Sequence, residues 1–284
     1  MKNSKTWFRS FVSTLFFLVS FPTFYCPEQA LAYNQAHIKY GSEPKQTMDI
    51  YTPEGGEQLA HPVLIYVHGG GWMHGDKSNV SEKPTFFTNK GYVFVSVNYQ
   101  LSPRVPYTDM AKDVANTIHW VYHRADQYKI DRAKINLMGH SAGGHLVTLV
   151  GTNPYYLASA GLPLQVINTV VNLDGPVDLT EFIPRNTTYM EVFGGKQETW
   201  ADASPITYAA NKHLPSILLV GKDQKAFTTF AEKARYAGNT VELFFNHTLT
   251  HREITKLLGA GSDNAEAINM TNAVAGFLDK NNSW

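Results

Sequence analysis

The 284-residue sequence lacks the features on which several common protein classes depend. Its 24 basic and 24 acidic residues cancel, so no broad field of one sign is available to hold nucleic acid or an anionic membrane. It contains one cysteine, Cys26, and has neither an H-E-x-x-H metal-binding motif nor the glycine-rich phosphate-binding motifs of nucleotide enzymes. We therefore expect no metal, no cofactor and no nucleic-acid partner.

The first 32 residues are predicted to be a secretory signal peptide. Three basic residues precede an apolar run from Phe11 to Phe21, and Ala30-Leu31-Ala32 supplies small residues at the positions that a signal peptidase needs. The run is shorter than the roughly 20 residues that cross a bilayer, so a retained membrane anchor is the less favoured alternative. Cleavage after Ala32 would remove Cys26 and deliver a protein without disulfides to the periplasm or the medium.

Residues 33–284 are predicted to form a single α/β domain with a mostly parallel central sheet. Short runs rich in Val, Ile and Leu alternate with amphipathic stretches, which is the pattern of parallel βαβ units. Several runs are continuously apolar, as in central strands covered by helices on both faces. The predicted strands are Val63–Val67, Val93–Val97, Ile135–Met138, Val166–Leu173, Ile217–Val220 and Val241–Phe245.

Three further segments complete the predicted architecture. Residues 48–52, ended by Pro53, are expected to form an antiparallel edge strand. A helix is predicted over 108–127, where one face carries Met110, Val114, Ile118 and Tyr122. A last helix is predicted to begin near Ser262 and Asp263, which would cap it. Its expected buried stripe consists of Ile268, Thr271, Ala275 and Leu278.

The strongest chemical motif is Gly139-His140-Ser141-Ala142-Gly143. It follows one predicted strand directly and opens a predicted helix, Ala142–Val150. In that context G-x-S-x-G places a serine on a strained strand-to-helix turn, with its hydroxyl at the carboxyl end of the sheet. The helix N-terminus also offers free backbone N–H groups to a developing oxyanion. Ser141 is therefore the predicted nucleophile, and an ordinary glycine-rich turn is the alternative.

A second motif, His68-Gly69-Gly70-Gly71-Trp72, ends another predicted strand. Three glycines in a row let backbone N–H groups turn towards a tetrahedral oxygen, so we predict an oxyanion hole made by Gly70, Gly71 and Ala142. His68 is expected to orient this loop. Trp72 and His140 are expected to contact substrate, although Trp72 is equally consistent with plain packing.

Together the two motifs resemble the α/β-hydrolase superfamily, in particular the small esterases of the hormone-sensitive-lipase-like and kynurenine-formamidase-like branches. The resemblance extends from about Asp49 to the C-terminus and implies the α/β-hydrolase fold, with the catalytic residues in the order nucleophile, acid, histidine. Gln100 departs from the pattern, because these esterases have an arginine there. We expect this difference to remove a structural ion pair.

The resemblance also implies the acid and the base. Asp223 follows the strand Ile217–Val220 and is the predicted acid, which would orient the base. Asp174 and Asp178, after the preceding strand, are alternatives because some hydrolases carry the acid there.

Both candidate bases lie on one loop after the last strand. His251 is favoured, since the resembling esterases place their histidine just before an x-x-Ile helix start, here Arg252-Glu253-Ile254. His247 is the alternative and is more plausible as a loop or pocket residue.

These residues predict a serine carboxylic-ester hydrolase that acts on small or short-acyl esters through an acyl-enzyme. The segment 178–214 between two predicted strands, called the excursion below, is short for a lid, so an open pocket is expected. Tyr189, Phe193 and Trp200 either line this pocket or pack the excursion against the core. An arylformamidase and an acetyl or feruloyl polysaccharide esterase are the alternative enzymes. A non-catalytic binding module is disfavoured, because every required residue type is present in order.

Overall fold

One mixed sheet organises the protein, whose computed structural model describes residues 33–54, 60–222 and 224–283. The predicted signal peptide and Asp223 lie outside the described residues, so both stay predictions. The strands are β1 (Tyr33–Lys39), β2 (Thr47–Tyr51), β3 (His61–Val67), β4 (Val93–Val97), β5 (Ile130–His140), β6 (Ile167–Leu173), β7 (Ser216–Gly221) and β8 (Val241–Phe245).

The spatial order of the strands is β1-β2-β4-β3-β5-β6-β7-β8. β2 pairs antiparallel with both β1 and β4, whereas all pairs from β4 to β8 are parallel. The six predicted strands are confirmed; five of them are inner strands, and β8 lies at one edge of the sheet. β2 is antiparallel as expected, but it is not the edge strand, because β1 lies outside it.

Ten α-helices within the described residues connect and flank the strands. They are α1 (Lys83–Asn89), α2 (Tyr107–His123), α3 (Ala142–Thr152), α4 (Pro154–Ser159), α5 (Leu179–Phe182), α6 (Met190–Phe193), α7 (Gln197–Ala203), α8 (Lys225–Tyr236), α9 (His251–Lys256) and α10 (Ala265–Asn281). The predicted buried face of α2 is confirmed at Met110, Val114 and Ile118. No helix in the described ranges combines the length and the apolar character needed to cross a membrane.

The core has two parts, one on each face of the sheet. Side chains alternate along β3, so Ile65 contributes to one apolar cluster and Tyr66 to the other. α2, α3 and α8 cover the first face, and α1, α9 and α10 cover the second. The candidate site lies at the carboxyl ends of the parallel strands.

The start of α10 differs from the prediction. Asn264, not Ser262 or Asp263, is the N-cap, because its side chain accepts the N–H groups of Glu266 and Ala267. Ile268 is 44% exposed, so its predicted burial was wrong, whereas burial of Ala275 and Leu278 is confirmed. The apolar stripe turned to the sheet consists of Ala267, Met270, Val274, Phe277 and Leu278.

Gln100 lies beside a buried carboxylate that has no cationic partner among the described residues. The backbone N–H of Gln100 donates to Asp113 (2.8 Å), and Gln46 Nε2 donates to the other oxygen of that carboxylate (2.7 Å). Burial raises the pKa of Asp113 above its usual value, and these amide donors oppose the rise. An arginine at position 100 would face this carboxylate, which agrees with the loss of an ion pair expected from the sequence.

Restoring the arginine should stabilise the protein. A cavity of about 250 Å³ borders Gln100 and gives the longer side chain room. Gln100→Arg is expected to raise the free energy of unfolding by about 1 kcal/mol at neutral pH, through a charge-assisted hydrogen bond to Asp113. Unfolding in urea measures this free energy, and Gln100→Met is the control variant of similar volume. The gain should shrink as acid protonates Asp113; equal stability of the two variants at pH 7 would contradict the prediction.

Candidate active site

Ser141 occupies a strained turn between β5 and α3. Its backbone angles are φ 55° and ψ −120°, a conformation that is uncommon for a residue other than glycine. The turn is held because the N–H of Ser141 donates to Leu173 O (2.9 Å) and the N–H of His145 donates to Ser141 O (2.9 Å). The side chain is half-buried. The strand-turn-helix context predicted for Ser141 is therefore confirmed.

Two glycines let the ends of β3, β5 and β6 converge on this turn. A Cβ atom at Gly143 would lie 2.1 Å from Val67 O, and one at Gly175 would lie 2.5 Å from Ser141 O. Neither position tolerates a side chain. The close approach places the loops after β3 and β6 beside Ser141.

The glycine loop after β3 lies directly against the serine. A Cβ atom at Gly69 would be 3.0 Å from Ser141 Cβ. Gly70 and Gly71 have φ of +130° and +61°, which favours glycine, and their N–H groups donate no hydrogen bond to another described residue. Ala142 is the first residue of α3, so its N–H has no acceptor within the helix. These three donors are available to an anion beside Ser141.

His68 holds the glycine loop from inside the protein. Its Nδ1–H donates to Gly69 O (2.8 Å), and its ring stacks on Tyr99 with centroids 4.6 Å apart. The side chain is 1% exposed, and burial lowers the pKa of His68 to about 4. It is therefore neutral at pH 7 and shaped for the orienting role expected from the sequence.

Trp72 links the glycine loop to the excursion between β6 and β7. It is 2% exposed, and its Nε1–H donates to His145 Nδ1 (3.1 Å), while His145 Nε2–H donates to Ala203 O (2.7 Å). Burial lowers the pKa of His145 to about 4, which keeps this acceptor neutral. These contacts are structural, because they bind the polar atom of Trp72 to the protein interior. The sequence reasoning gave His145 no role, because its partners are distant in the chain.

The three aromatic residues of the excursion differ in their surroundings. Phe193 and Trp200 are buried, at 3% and 8% exposure, so they pack the excursion down. Tyr189 is half-buried, and its ring meets Trp72 edge-on at 5.1 Å. A Cβ atom at Gly71 would lie 3.0 Å from Cε1 of Tyr189. Phe193 also packs on Trp72, with centroids 4.9 Å apart, but Tyr189 is the partly exposed ring of the three and the one that lies against Gly71.

His251 is paired with Asp174. Its Nδ1–H donates to Asp174 Oδ2 at 2.6 Å, and the histidine side chain is 53% exposed whereas the aspartate side chain is 17% exposed. Asp174 directly follows β6 with a φ of +56°, and its N–H donates to Val220 O (2.7 Å). Strained backbone thus occurs at both Ser141 and Asp174.

The described partner of His251 is one of the two alternatives to the residue that we favoured from the sequence. Asp223 lies outside the described residues, and the structure brings His251 to Asp174, one of the two alternatives. The other alternative, Asp178, caps α5 instead, because its side chain accepts the N–H groups of Thr180 and Glu181. Asp174 is therefore the acid that the described contacts favour, and the role predicted for Asp223 stays untested.

His251 is the first residue of α9, and the helix start is built to hold it. Thr250 is the N-cap in a capping box with Glu253, each side chain bonding the other residue's backbone N–H (3.3 and 2.8 Å). The T-x-x-E spacing was readable from the sequence and was missed. His247 is exposed, and its backbone N–H is bound by the carboxylate of Glu266.

His140 connects the nucleophile turn to the base. Its Nε2–H donates to His251 O (2.9 Å), and the two rings lie 4.6 Å apart. Burial, assisted by the charge of His251, lowers the pKa of His140 to about 4. His140 and Trp72 were expected to contact substrate, but the structure directs their polar atoms to protein partners.

The model of the family described as BD-FAE matches residues 48–229, more than half of the chain. The chain belongs to the BD-FAE family. It is 26% identical over 204 residues to esterase LipC of Mycobacterium tuberculosis. That alignment covers 66% of this chain and 50% of LipC. It is also 29% identical over 183 residues to a kynurenine formamidase of Meyerozyma guilliermondii. That alignment covers 60% of this chain and 64% of the formamidase.

The fold is also that of solved esterases. Esterase 2 of Thermogutta terrifontis, solved with butyrate bound, has a TM-score of 0.72 and 23% identity, and the match covers 90% of this chain and 96% of that chain. This likeness shows the α/β-hydrolase fold. The chain spans between half and two thirds of the length of the two curated relatives named above.

No group of three or more potential metal ligands occurs within the described part of this BD-FAE member. The polar side chains near Ser141 are instead hydrogen-bonded to protein groups. The arrangement offers a hydroxyl, an oriented imidazole and free amides, which are the parts needed for acyl transfer.

The choice of acid is directly testable. Asp174→Asn is expected to lower kcat for ester hydrolysis by about 10³–10⁴-fold, because the amide no longer fixes the His251 tautomer, as in the serine-protease precedent. Asp223→Asn is the matched control and should leave kcat within several-fold of wild type. Steady-state kinetics on a small ester decide between them. A severe loss of kcat in Asp223→Asn, together with near-wild-type kcat in Asp174→Asn, would assign the acid to Asp223, as the sequence predicts.

Proposed function

We propose that this protein is a serine carboxylic-ester hydrolase that acts on small or short-acyl esters. The observation that carries the proposal is the His251–Asp174 hydrogen bond at the sheet edge where Ser141 and the free amides of the glycine loop meet. A non-catalytic module would have no need for a strained turn at Ser141 together with unpaired N–H donors beside it.

The mechanism follows from the protonation pattern of His251. With its Nδ1–H on Asp174, the imidazole keeps Nε2 unprotonated and able to accept the proton of the Ser141 hydroxyl. As the serine oxygen attacks the ester carbonyl, Nε2 takes its proton, and the carbonyl oxygen becomes an oxyanion held by the Gly70, Gly71 and Ala142 amides. His251 then protonates the leaving alcohol. Water, deprotonated by the same imidazole, releases the acid from the acyl-enzyme.

The relatives support this class of reaction. LipC is named an esterase, and the Thermogutta enzyme is solved with butyrate, a four-carbon acid. The formamidase relative keeps a formyl amide as a second candidate substrate, since the same serine, histidine and oxyanion donors can open that bond. A formyl group has no acyl chain, so it also suits a small pocket.

Tyr189 supports the preference for short acyl groups. The ring of Tyr189 borders Gly71, whose N–H is one of the proposed oxyanion donors, so the ring lies close to where the substrate carbonyl would bind. Phe182 stacks on the ring at 5.5 Å, and Trp72 meets it edge-on, so the ring is held in place. We infer that it limits the length of the acyl chain.

A panel of p-nitrophenyl esters from acetate to decanoate, beside N-formylkynurenine, tests the function. Wild type is expected to hydrolyse the acetate and butyrate esters best. Ser141→Ala and His251→Ala should each lose about 10⁴–10⁶-fold in kcat, whereas His247→Ala should stay within a few-fold. Faster turnover of N-formylkynurenine than of any ester would favour the formamidase. Full activity in Ser141→Ala would refute both.

Tyr189→Ala tests the acyl limit. Removing the ring should raise the ratio of kcat/KM for octanoate to that for acetate by about tenfold or more, because each added methylene that finds apolar surface contributes about 0.8 kcal/mol. Tyr189→Phe keeps the ring and is the matched control, with an unchanged ratio. The same ratio in Tyr189→Ala as in wild type would contradict the inferred role.

A further inference from the structure

Lys83, near the start of α1, is a fully buried lysine that the mechanism above does not use. It is 0% exposed, and its Nζ donates to Val80 O (3.0 Å) and to Thr255 O (2.5 Å). The ammonium also lies 5.2 Å from the centre of the Tyr66 ring. The structure pairs it with no carboxylate among the residues that it describes.

Such a lysine is costly for stability. Taking an ammonium out of water without a counter-charge is unfavourable, and an apolar side chain of similar volume is often at least as stable in such a place. Burial accordingly lowers the pKa of Lys83 to about 7, and the neighbouring charge of Glu82 offsets this only in part. The presence of Lys83 therefore points to a role other than stabilising the core.

The acceptor of Lys83 lies on the helix that carries the base. Thr255 and His251 are both in α9, which has six residues and is too short to be stable by itself. The capping box holds its first turn. Lys83 holds the Thr255 carbonyl near its carboxyl end, where a cation also favours the helix dipole, and the Tyr66 hydroxyl bonds to Thr255 Oγ1 (2.9 Å).

The position of the His251 imidazole depends on the position of α9. Half of its side chain is exposed, and its one described side-chain hydrogen bond is to Asp174. A tilt or slide of α9 would move the imidazole relative to Asp174 and Ser141. A displacement of about 1 Å in a catalytic group can cost roughly 10²-fold in rate.

We propose that Lys83, together with Tyr66, is a positioning residue for the base: it holds the carboxyl-terminal end of α9 so that His251 stays on Asp174. The proposal rests on the proposed function, in which His251 is the general base. Lys83 itself touches neither substrate nor the reacting atoms.

The test measures kcat and KM for p-nitrophenyl acetate in Lys83→Met, which keeps the volume and removes the charge and the donors. We expect kcat to fall about 10–100-fold with KM within twofold of wild type, because the groups that bind substrate are unchanged. Lys90→Met is the matched control. Lys90, just after α1, pairs with Asp279 in α10, so its loss should leave kcat within twofold.

Thermal unfolding of each variant separates positioning from folding. Wild-type kcat in Lys83→Met would overturn the proposal, and so would a fall in kcat that merely follows the fraction of folded protein. If Lys83→Met does not fold, Tyr66→Phe decides, with a fall of about threefold or more at unchanged KM expected and wild-type kcat overturning the proposal. Failure of the proposed function is distinguishable, because wild type would then be inactive or His251→Ala fully active.

Discussion

In the proposed mechanism, the hydrogen bond between His251 Nδ1 and Asp174 decides which nitrogen of the imidazole is left to accept a proton from Ser141. With that bond in place, Nε2 can take a proton from Ser141; without it, the ring can turn and present the wrong tautomer. Much of the surrounding structure holds the two ends of this bond. The capping box at Thr250 and the His140 bond to the His251 carbonyl hold the histidine. The backbone of Asp174, with its positive φ, sets the position of the carboxylate.

The parallel sheet makes this arrangement possible. Parallel strands end on the same edge, so Ser141 after β5 and Asp174 after β6 are neighbours, and the glycine loop after β3 closes against them on the other side. Small residues at positions 143 and 175 allow backbone to meet backbone there. The protein thus builds the site with backbone at the sheet edge and supports it with side chains buried behind it.

Local patterns were sufficient to predict much of the fold. The continuously apolar runs gave the inner strands, and the serine turn and glycine loop could be read because glycine spacing reports backbone geometry directly. The choice between Asp174 and Asp223 could not be read from local pattern, since each follows an inner strand at the same sheet edge.

Other features depend on contacts between distant parts of the chain. Lys83 has the sequence character of a surface residue, and its burial becomes evident only when α1 and α9 are packed together. The stripe of α10 was misplaced because a helical period of 3.6 fits two neighbouring registers, and packing against the sheet decides between them. The role of His145 likewise depends on Trp72 and Ala203, which are remote in sequence.

The most direct measurement is a crystal structure of the protein after reaction with a short alkyl phosphonate ester. The account predicts phosphorus bonded to Ser141 Oγ, the phosphonyl oxygen about 3 Å from the Gly70, Gly71 and Ala142 nitrogens, and His251 still bonded to Asp174. Phosphorus on another residue, or a phosphonyl oxygen turned away from those amides, would contradict it.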